Sequence, residues 1–403
     1  MLELEQALEA ILASVPASKS EVVPLAEAHR RVVAEQILMP ADLPPFDNSS
    51  MDGYAVRARD ISSAGPQNPV SLTLAGKIAA GETFHSELSA GQCVRIFTGS
   101  MLPAGADAVV MQEDTRLDAN RPGEVLFLEA AKPWENIRFR GEDVKQGAQI
   151  AVPGEVLGAA QMALLAAGGV EQVSVGRQPT VALLATGSEL KEAGGGSALV
   201  PGQIYESNRT ALAPLIGGAG GVPKIFPIVP DNPEATRAAL SRALAECDLV
   251  VTCGGVSVGE LDFVKSAFEE LDGQLQFWKV AIKPGRPFVF GRCGEKLLFG
   301  LPGNPVSAFV TFLLLTRPAL LRWQGAARVG LPASNGVLLE LFSNPDARRH
   351  FMRVTVDERG GVRSAGTQAS HVLSSLALAG GLVDLPPSTT FPTGTTVQVL
   401  RWE

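Results

Sequence analysis

The sequence predicts a multidomain protein that combines a layered α/β domain with β-rich domains. Its 403 residues are enough for two to four domains. Apolar runs alternate with helical windows after about residue 177, which is typical of βαβ units and a parallel sheet. Short strand-like runs separated by Gly, Pro, Asp and Asn occupy two other regions. We therefore expect a βαβ-layered domain, a helical domain, an inserted β-rich domain and a C-terminal β-barrel-like domain.

The predicted domain boundaries follow these changes of pattern. The helical domain comprises 1–43 and 144–176, the inserted β-rich domain 44–143, the α/β domain 177–326 and the C-terminal β domain 327–403.

The helical domain is predicted from amphipathic stretches on both sides of the insertion. Near the N-terminus, Leu4, Leu8 and Ile11 share one helical face with acidic residues among them, which is unlike a signal peptide. Glu27 to Leu38 and Glu155 to Ala167 are also predicted to be helical.

The other domains are predicted from short apolar runs. The expected strands of the two β domains are Val70 to Leu74, Ala108 to Gln112, Val125 to Glu129, Val337 to Leu341, Phe351 to Val356 and Thr396 to Leu400. In the α/β domain, strands Val181 to Ala185, Ile225 to Val229 and Leu249 to Cys253 are each followed by a predicted helix, at 208–216, 233–246 and 260–271.

Composition excludes several classes of function. The net charge of -8 and the mixed charges of Arg138 to Lys145 argue against a nucleic-acid ligand, which needs clustered cations. The apolar run Val306 to Leu315 is too short to span a bilayer, so no membrane association is expected. Four cysteines without CxxC or Cys/His spacing indicate neither zinc nor a disulfide framework. We expect a cytoplasmic protein.

Two loops that follow predicted α/β strands carry small residues and carboxylates. In residues 183–190, Gly187 permits a turn and Glu189 is expected in the first turn of a helix, where dipole complementation alone would explain it. In residues 250–262, Gly254 and Gly255 allow backbone NH groups to approach an anion. Asp262 adds a carboxylate suited to a divalent metal.

Two further loops add cations and hydroxyls. If Lys279 and Lys283 share one extended segment, both side chains lie on the same face and suit an oxyanion or pyrophosphate. The alternative is that the two lysines lie on a strand edge exposed to solvent. In residues 299–309, Asn304 is a candidate helix N-cap, and Ser307 is expected to face a bound anion.

The inserted domain contributes three polar loops. Residues 44–56 contain Asp52 among turn signals, which ordinary turn chemistry would also explain. Residues 96–100 contain Thr98, and residues 136–144 contain Arg138 and Asp143. Polar loops in two domains predict a shared cleft, either within one chain or between subunits.

Eight motifs occur in one order along the chain: PPFDNSSMDGYAV, IFTGS, NIRFRGEDV, ATGSEL, TCGGVSVGELD, KVAIKPGRP, LPGNPVSA and TQASHVLSSLALAGGL. Together they resemble the MoeA family, the molybdopterin molybdenumtransferases, which include the E domain of gephyrin. The resemblance implies an elongated homodimer whose active site lies between the α/β, molybdopterin-binding domain of one subunit and the β domain of the other. It also implies insertion of molybdate into adenylylated molybdopterin with release of AMP, a Mg²⁺ cofactor, and contact with the molybdopterin adenylyltransferase.

The resemblance assigns roles to individual residues. Those matching acidic and basic catalytic positions are Asp52, Asp143, Glu189, Asp231, Asp262, Lys279 and Lys283. Those matching substrate-binding positions are Thr98, Arg138, Gly254, Gly255, Ser257, Pro284, Pro302, Gly303, Asn304, Pro305, Ser307, Arg353 and Ser370. Asp262 and Asp231 are the expected metal ligands.

The sequence departs from the family pattern at Ser50, Ser188, Cys253, Glu206 and Arg286. Ser188 removes a charge beside Glu189, and Glu206 lengthens another side chain, so these changes affect ligand geometry more than the reaction. Two alternatives stay open: a relative that inserts tungstate, which has the same charge and nearly the same size, and a non-catalytic carrier or scaffold that binds molybdopterin.

Overall fold

The computed structural model describes residues 1–118, 120–194, 198–256 and 263–402. Its first helix, Leu4–Ser14, confirms the amphipathic pattern, since Leu4, Ala7 and Ile11 are buried. These side chains join the core cluster of the α/β domain, so the chain begins against the domain that carries its central sheet.

The prediction of a helix from Glu27 to Leu38 is wrong. The β-branched residues Val32 and Val33 instead form bridges with distant parts of the chain, and Ile37–Leu38 is a short strand. Tertiary pairing here outweighs the local helical pattern. The later helix is confirmed but begins at Ala159 and ends at Ala167.

Segments on either side of residues 44–143 pair with each other. The strand Ser20–Pro24 lies antiparallel to Gln172–Gly176, and Ile37–Leu38 lies antiparallel to Gln149–Ala151. The chain therefore leaves this region and returns to it.

A six-stranded sheet occupies the intervening residues. Its strands, in spatial order, are Ala108–Met111, Gly53–Val56, Gln92–Ile96, Val70–Ile78, Glu124–Phe127 and Thr115–Leu117. A separate pair, Asn48–Ser49 with Ile137–Arg138, joins two of the polar loops predicted from the sequence.

The central sheet of the α/β domain has six strands in the order Val222–Ile225, Thr180–Ala185, Leu249–Cys253, Lys296–Leu301, Pro287–Cys293 and Gln274–Lys279. The first four are mutually parallel, and each of the last two is antiparallel to the strand before it in this order. The helices are Asn208–Gly218, Pro233–Glu246, Val264–Glu269, Pro305–Thr311 and Arg317–Trp323, the last two joined by the π-helical turn Phe312–Thr316. They cover both faces of the sheet, and two apolar clusters bury it.

The helical stretch Pro305–Trp323 extends beyond the apolar run noted in the sequence. By length and composition it is long enough to cross a membrane, contrary to the expectation from Val306 to Leu315 alone. However, 83% of its most apolar window is buried inside the fold, as in the core helix of a globular domain.

The C-terminal region forms a five-stranded barrel. Its strands, in order around the barrel, are Arg349–Val356, Gly361–Ser364, Ala333–Leu338, Thr396–Leu400 and Gly381–Leu385, which pairs back to the first. The hairpin Phe342–Asn344 with Thr389–Phe391 and the helix Leu373–Ala377 complete the region. This architecture confirms the predicted combination of α/β and β-rich parts.

Candidate functional site

An open cavity of about 250 Å³ lies at the carboxyl ends of the parallel strands. In doubly wound sheets this edge is where ligands bind. Its lining comes from the loops after four strands and comprises Thr186, Gly187, Glu189, Asp231, Gly254, Gly255, Val256, Pro287, Pro302 and Gly303. The structure thus brings together six of the predicted site residues: Glu189, Asp231, Gly254, Gly255, Pro302 and Gly303.

The glycine loop of this cavity cannot accept side chains. Gly254 and Gly255 have φ angles of +91° and +67°, in the region that favours glycine. A Cβ on Gly254 would lie 2.7 Å from the carbonyl oxygen of Thr186, which is too close. The backbone is therefore fixed against the neighbouring loop and leaves room for a ligand above it.

The two carboxylates have different surroundings. Asp231 and Ser188 bind each other reciprocally: Ser188 N donates to Asp231 Oδ2 at 2.8 Å, and Asp231 N donates to Ser188 Oγ at 3.0 Å. Glu189 is exposed and precedes the short strand Leu190–Lys191, so the expectation of a helix start at Glu189 is wrong. The serine that departs from the family pattern thus ties the two carboxylate loops together.

Asn208 is a residue near the cavity that sequence reasoning missed. Its Nδ2 donates to the carbonyl oxygen of Gly303 at 2.8 Å and holds the proline-rich loop. The following residue, Arg209, forms a buried ion pair with Glu206, Nε to Oε2 at 2.9 Å. The sequence signal for this residue is the YESNR string, in which Glu206 departs from the family pattern.

The two lysines do not share one segment, so that expectation is wrong. Lys279 ends the edge strand of the α/β sheet, whereas Lys283 belongs to Ile282–Lys283, which pairs with the C-terminal barrel. The backbone between the two lysines is hydrogen-bonded to Leu2: Leu2 N donates to Lys279 O, and Ala281 N donates to Leu2 O. Lys283 Nζ lies 3.8 Å from Asp346 Oδ2.

A second group of predicted residues surrounds the loop 367–370. Asn304 occupies the N-cap position of its helix, but its side chain makes no capping bond. Its Nδ2 instead donates to Ser370 Oγ at 3.1 Å. Ser307, one turn further on, is buried. The structure therefore joins the LPGNPVS loop directly to Ser370, another predicted substrate-binding residue.

Arg353 is fully buried beneath the same loop. Its Nη2 donates to the carbonyl oxygens of Thr367 and Ala369 at 2.9 and 3.2 Å. Its Nε and Nη1 find no acceptor within the described parts of the chain, and burial lowers the pKa of the guanidinium. A buried cation with two free donor groups suits an oxyanion, since anions form strong charge-assisted bonds with guanidinium groups.

In the inserted region, Asp52 and Thr98 form one unit. The backbone NH and the hydroxyl of Thr98 each donate to Asp52 Oδ1 at 2.8 Å, and these bonds hold the pKa of Asp52 below its usual value. Arg138 is exposed on the strand that pairs with Asn48, and Asp143 is exposed on the neighbouring loop. None of the described residues of 44–143 lines the cavity.

Some predicted residues cannot be placed. Ser257 and Asp262 lie outside the described residues. Within the described ranges, no group of three or more His, Cys, Asp or Glu side chains has a metal-binding arrangement.

The two remaining predicted prolines are both described. Pro284 is buried, and Pro305 is the first residue of its helix.

His350, which the sequence did not single out, predicts a pH dependence of stability. Burial, with the charges of Lys283 and Arg353 after it, lowers its pKa to about 4 from 6.5; Asp346 opposes this effect and Arg348 adds to it. The unfolded chain therefore binds the proton first, so stability should fall by about 2–4 kcal/mol as pH drops from about 6.5 to 4. Urea unfolding measured across this pH range should show that the free energy of unfolding falls less steeply with decreasing pH in His350→Leu than in the wild type. An unchanged slope would contradict the assignment.

Three family models cover most of the chain: the MoeA N-terminal region (domains I and II) matches residues 2–169, a probable molybdopterin binding domain 182–322, and the MoeA C-terminal region (domain IV) 335–402. A molybdopterin molybdenumtransferase of Haemophilus influenzae is 40% identical over 93% of this chain and 92% of its own. Molybdopterin molybdenumtransferase 2 of Mycobacterium tuberculosis is 40% identical over 90% of each.

The fold agrees with these sequence matches. A crystal structure of the molybdopterin biosynthesis MoeA protein from Pyrococcus horikoshii OT3 has a TM-score of 0.82 and 32% identity, covering 100% of both chains. The predicted resemblance is therefore confirmed, and the chain belongs to the MoeA family.

Proposed function

We propose that this protein is a molybdopterin molybdenumtransferase, which inserts molybdate into adenylylated molybdopterin and releases AMP. The observation that carries the proposal is the glycine-lined cavity with two carboxylates at the end of the parallel strands. Relatives that match the chain over 90% or more of its length and are named for this activity support it.

The cavity suits the adenylyl end of such a substrate. Glycines allow a phosphate to approach the backbone, and exposed loops at strand ends leave the ligand accessible. Lys279 and Lys283 supply positive charge for molybdate and the phosphates. Arg353, Ser370 and Ser307 form the molybdate end, because two guanidinium NH groups beneath the serine-bearing loop have no acceptor among the described residues.

The proposed chemistry transfers one oxygen. A molybdate oxygen attacks the adenylyl phosphorus, and the bond between this phosphorus and the bridging oxygen of molybdopterin's own phosphate breaks. The Mo–O bond to the attacking oxygen then breaks as the two thiolate sulfurs of molybdopterin bind molybdenum. AMP leaves with that oxygen, the MoO₃ unit stays on the sulfurs, and molybdopterin keeps its phosphate. The cationic side chains stabilise the charge that develops on the phosphoryl oxygens.

A magnesium ion is chemically compatible with this site. The carboxylate oxygens of Asp231, which line the cavity, would hold it together with those of Asp262, the second metal ligand expected from the sequence, and Glu189 lines the same cavity. Oxygen ligands from acidic side chains and phosphates are those that Mg²⁺ prefers, and the ion would neutralise phosphate charge.

We further propose that the site is completed by the inserted domain of a second subunit in a cytoplasmic homodimer. Asp52, Thr98, Arg138 and Asp143 are accessible but lie away from the cavity lining of their own chain. Contact with the molybdopterin adenylyltransferase would deliver the adenylylated substrate.

Mixed dimers test the shared site. Asp52→Asn and Glu189→Gln homodimers should each be inactive, whereas subunits mixed 1:1 should recover about a quarter of wild-type activity, because half the dimers contain one intact composite site. A site contained within one chain would give no recovery, and a monomer in light scattering would also contradict the proposal.

The reaction itself is tested with adenylylated molybdopterin, Mg²⁺ and either molybdate or tungstate. We expect AMP and metal-loaded molybdopterin to appear only when an oxyanion is present. Faster release with tungstate would identify the tungstate-inserting alternative. Binding of molybdopterin without oxyanion-dependent AMP release would overturn the enzyme assignment in favour of a carrier.

A further inference from the structure

A second and larger cavity, of about 540 Å³, lies along the edge strand Gln274–Lys279 of the same sheet. Lys279 lines the larger cavity, and Lys279 pairs in register with Pro287, which lines the glycine-lined cavity. This residue pair therefore connects the linings of the two cavities. A long substrate held in one of them can extend into the other.

The larger cavity has an aromatic wall. Trp278, the penultimate residue of the edge strand, lines this cavity and is 50% exposed, so its ring is accessible to a ligand. The ammonium groups of Lys265 and Lys279 lie 5.7 and 5.9 Å from its ring centroid. A flat ring that stacks on this indole would therefore place its substituents within reach of Lys279.

The same cavity is also lined by the carboxylate of Glu269 and the amide of Gln276. Throughout the described ranges, neither side chain has an ion-pair or hydrogen-bond partner. A pterin ring presents its 2-amino group and N3–H as adjacent donors, and one carboxylate can accept both. Adenine instead presents its 6-amino donor beside the N1 acceptor, which a carboxylate repels.

We propose that this cavity binds the pterin ring of molybdopterin, with Trp278 against its face and Glu269 on its 2-amino edge. This inference rests on the proposed function and specifies which end of the substrate lies where. The pterin occupies the larger cavity, the adenylyl group occupies the glycine-lined cavity, and Lys279 lies between them beside the phosphates.

Binding of free pterin, 2-amino-4-oxopteridine, tests the assignment without requiring turnover. Pterin fluorescence should be quenched when the full-length protein is added, because the ring stacks on indole. Lumazine, which has an oxo group in place of the 2-amino group, should bind more weakly. Trp278→Leu should raise the Kd for pterin about tenfold or more, and Trp278→Phe should raise it less. Glu269→Gln should remove the preference for pterin over lumazine.

The matched control is Trp134→Leu, since Trp134 is similarly exposed, at 52%, but lies in the inserted region. It should leave the Kd for pterin unchanged. With adenylylated molybdopterin, Trp278→Leu should raise KM while leaving the dependence of the rate on molybdate concentration as in the wild type. A merely structural role for Trp278 would not separate these quantities.

Two results would overturn the assignment. One is a Kd for pterin in Trp278→Leu equal to that of the wild type. The other is that AMP competes with pterin and that Trp278→Leu weakens the binding of both ligands equally, which would place adenine on the indole. These failures differ from failure of the proposed function. Without oxyanion-dependent AMP release the reaction would be wrong, yet pterin binding at Trp278 would still be measurable.

Discussion

Replacing Gly254 with alanine is expected to reduce molybdate-dependent AMP release by about a hundredfold or more, because displacements of about 1 Å in a positioned site have effects of this size. At φ +91° an alanine is strained by about 1–3 kcal/mol. Its Cβ would also lie 2.7 Å from the backbone oxygen of Thr186, which cannot rotate away as a flexible side chain can. The loop must move, and it forms the floor of the cavity.

The matched control for this substitution is Gly217→Ala. Gly217 lies in the helix Asn208–Gly218, and a Cβ there would meet no atom within 4 Å. This variant should keep wild-type AMP release and gain slightly in stability, since alanine favours helices over glycine. Single-turnover assays and thermal melts of both variants distinguish a local change from unfolding. Wild-type release by a folded Gly254→Ala protein would contradict the role of the loop.

The sequence predicts the parts of this fold that depend on local periodicity. The βαβ alternation leads directly to the parallel strands Thr180–Ala185 and Leu249–Cys253, since buried apolar runs and helical windows are visible without tertiary information. The helix expected at Glu27 to Leu38 fails for the opposite reason. Its conformation is decided by bridges to residues more than a hundred positions away, which periodicity does not encode.

The candidate site shows the same division. Gly254 and Gly255 could be recognised because a glycine pair after a strand has a local conformational meaning. Asn208 could not, since its importance comes from a bond to Gly303, which is distant in sequence. The lysines show an intermediate case: their even spacing is real, but the chain crosses from one sheet to another between them.

Replacing Arg353 with methionine is expected to raise the Kd for molybdate about a hundredfold or more, since truncating one partner of a buried charge pair costs about 2–5 kcal/mol. The physical reason is that Nε and Nη1 of Arg353 have no acceptor in the part of the chain that the structure describes. A fully buried guanidinium with only part of its donors satisfied is costly until an anion arrives, so binding of the anion should stabilise the wild-type fold. Melting curves recorded across a molybdate titration measure this stabilisation.

Arg349→Met provides a matched control on the same strand. The guanidinium of Arg349 already bonds to the carboxylates of Asp384 and Glu5, so its loss should lower stability without changing the molybdate-dependent shift. Arg353→Met should show the reverse pattern. Molybdate should not raise its melting temperature, and in molybdate-free buffer its melting temperature should fall less than is expected when a buried residue is replaced. Equal molybdate shifts in the two variants would show that the unpaired donors of Arg353 do not bind the oxyanion. The two arginines lie on one strand, and only Arg353 has donor groups without acceptors among the described residues. Comparing the two variants therefore separates a cation that stabilises the fold from one that binds the substrate.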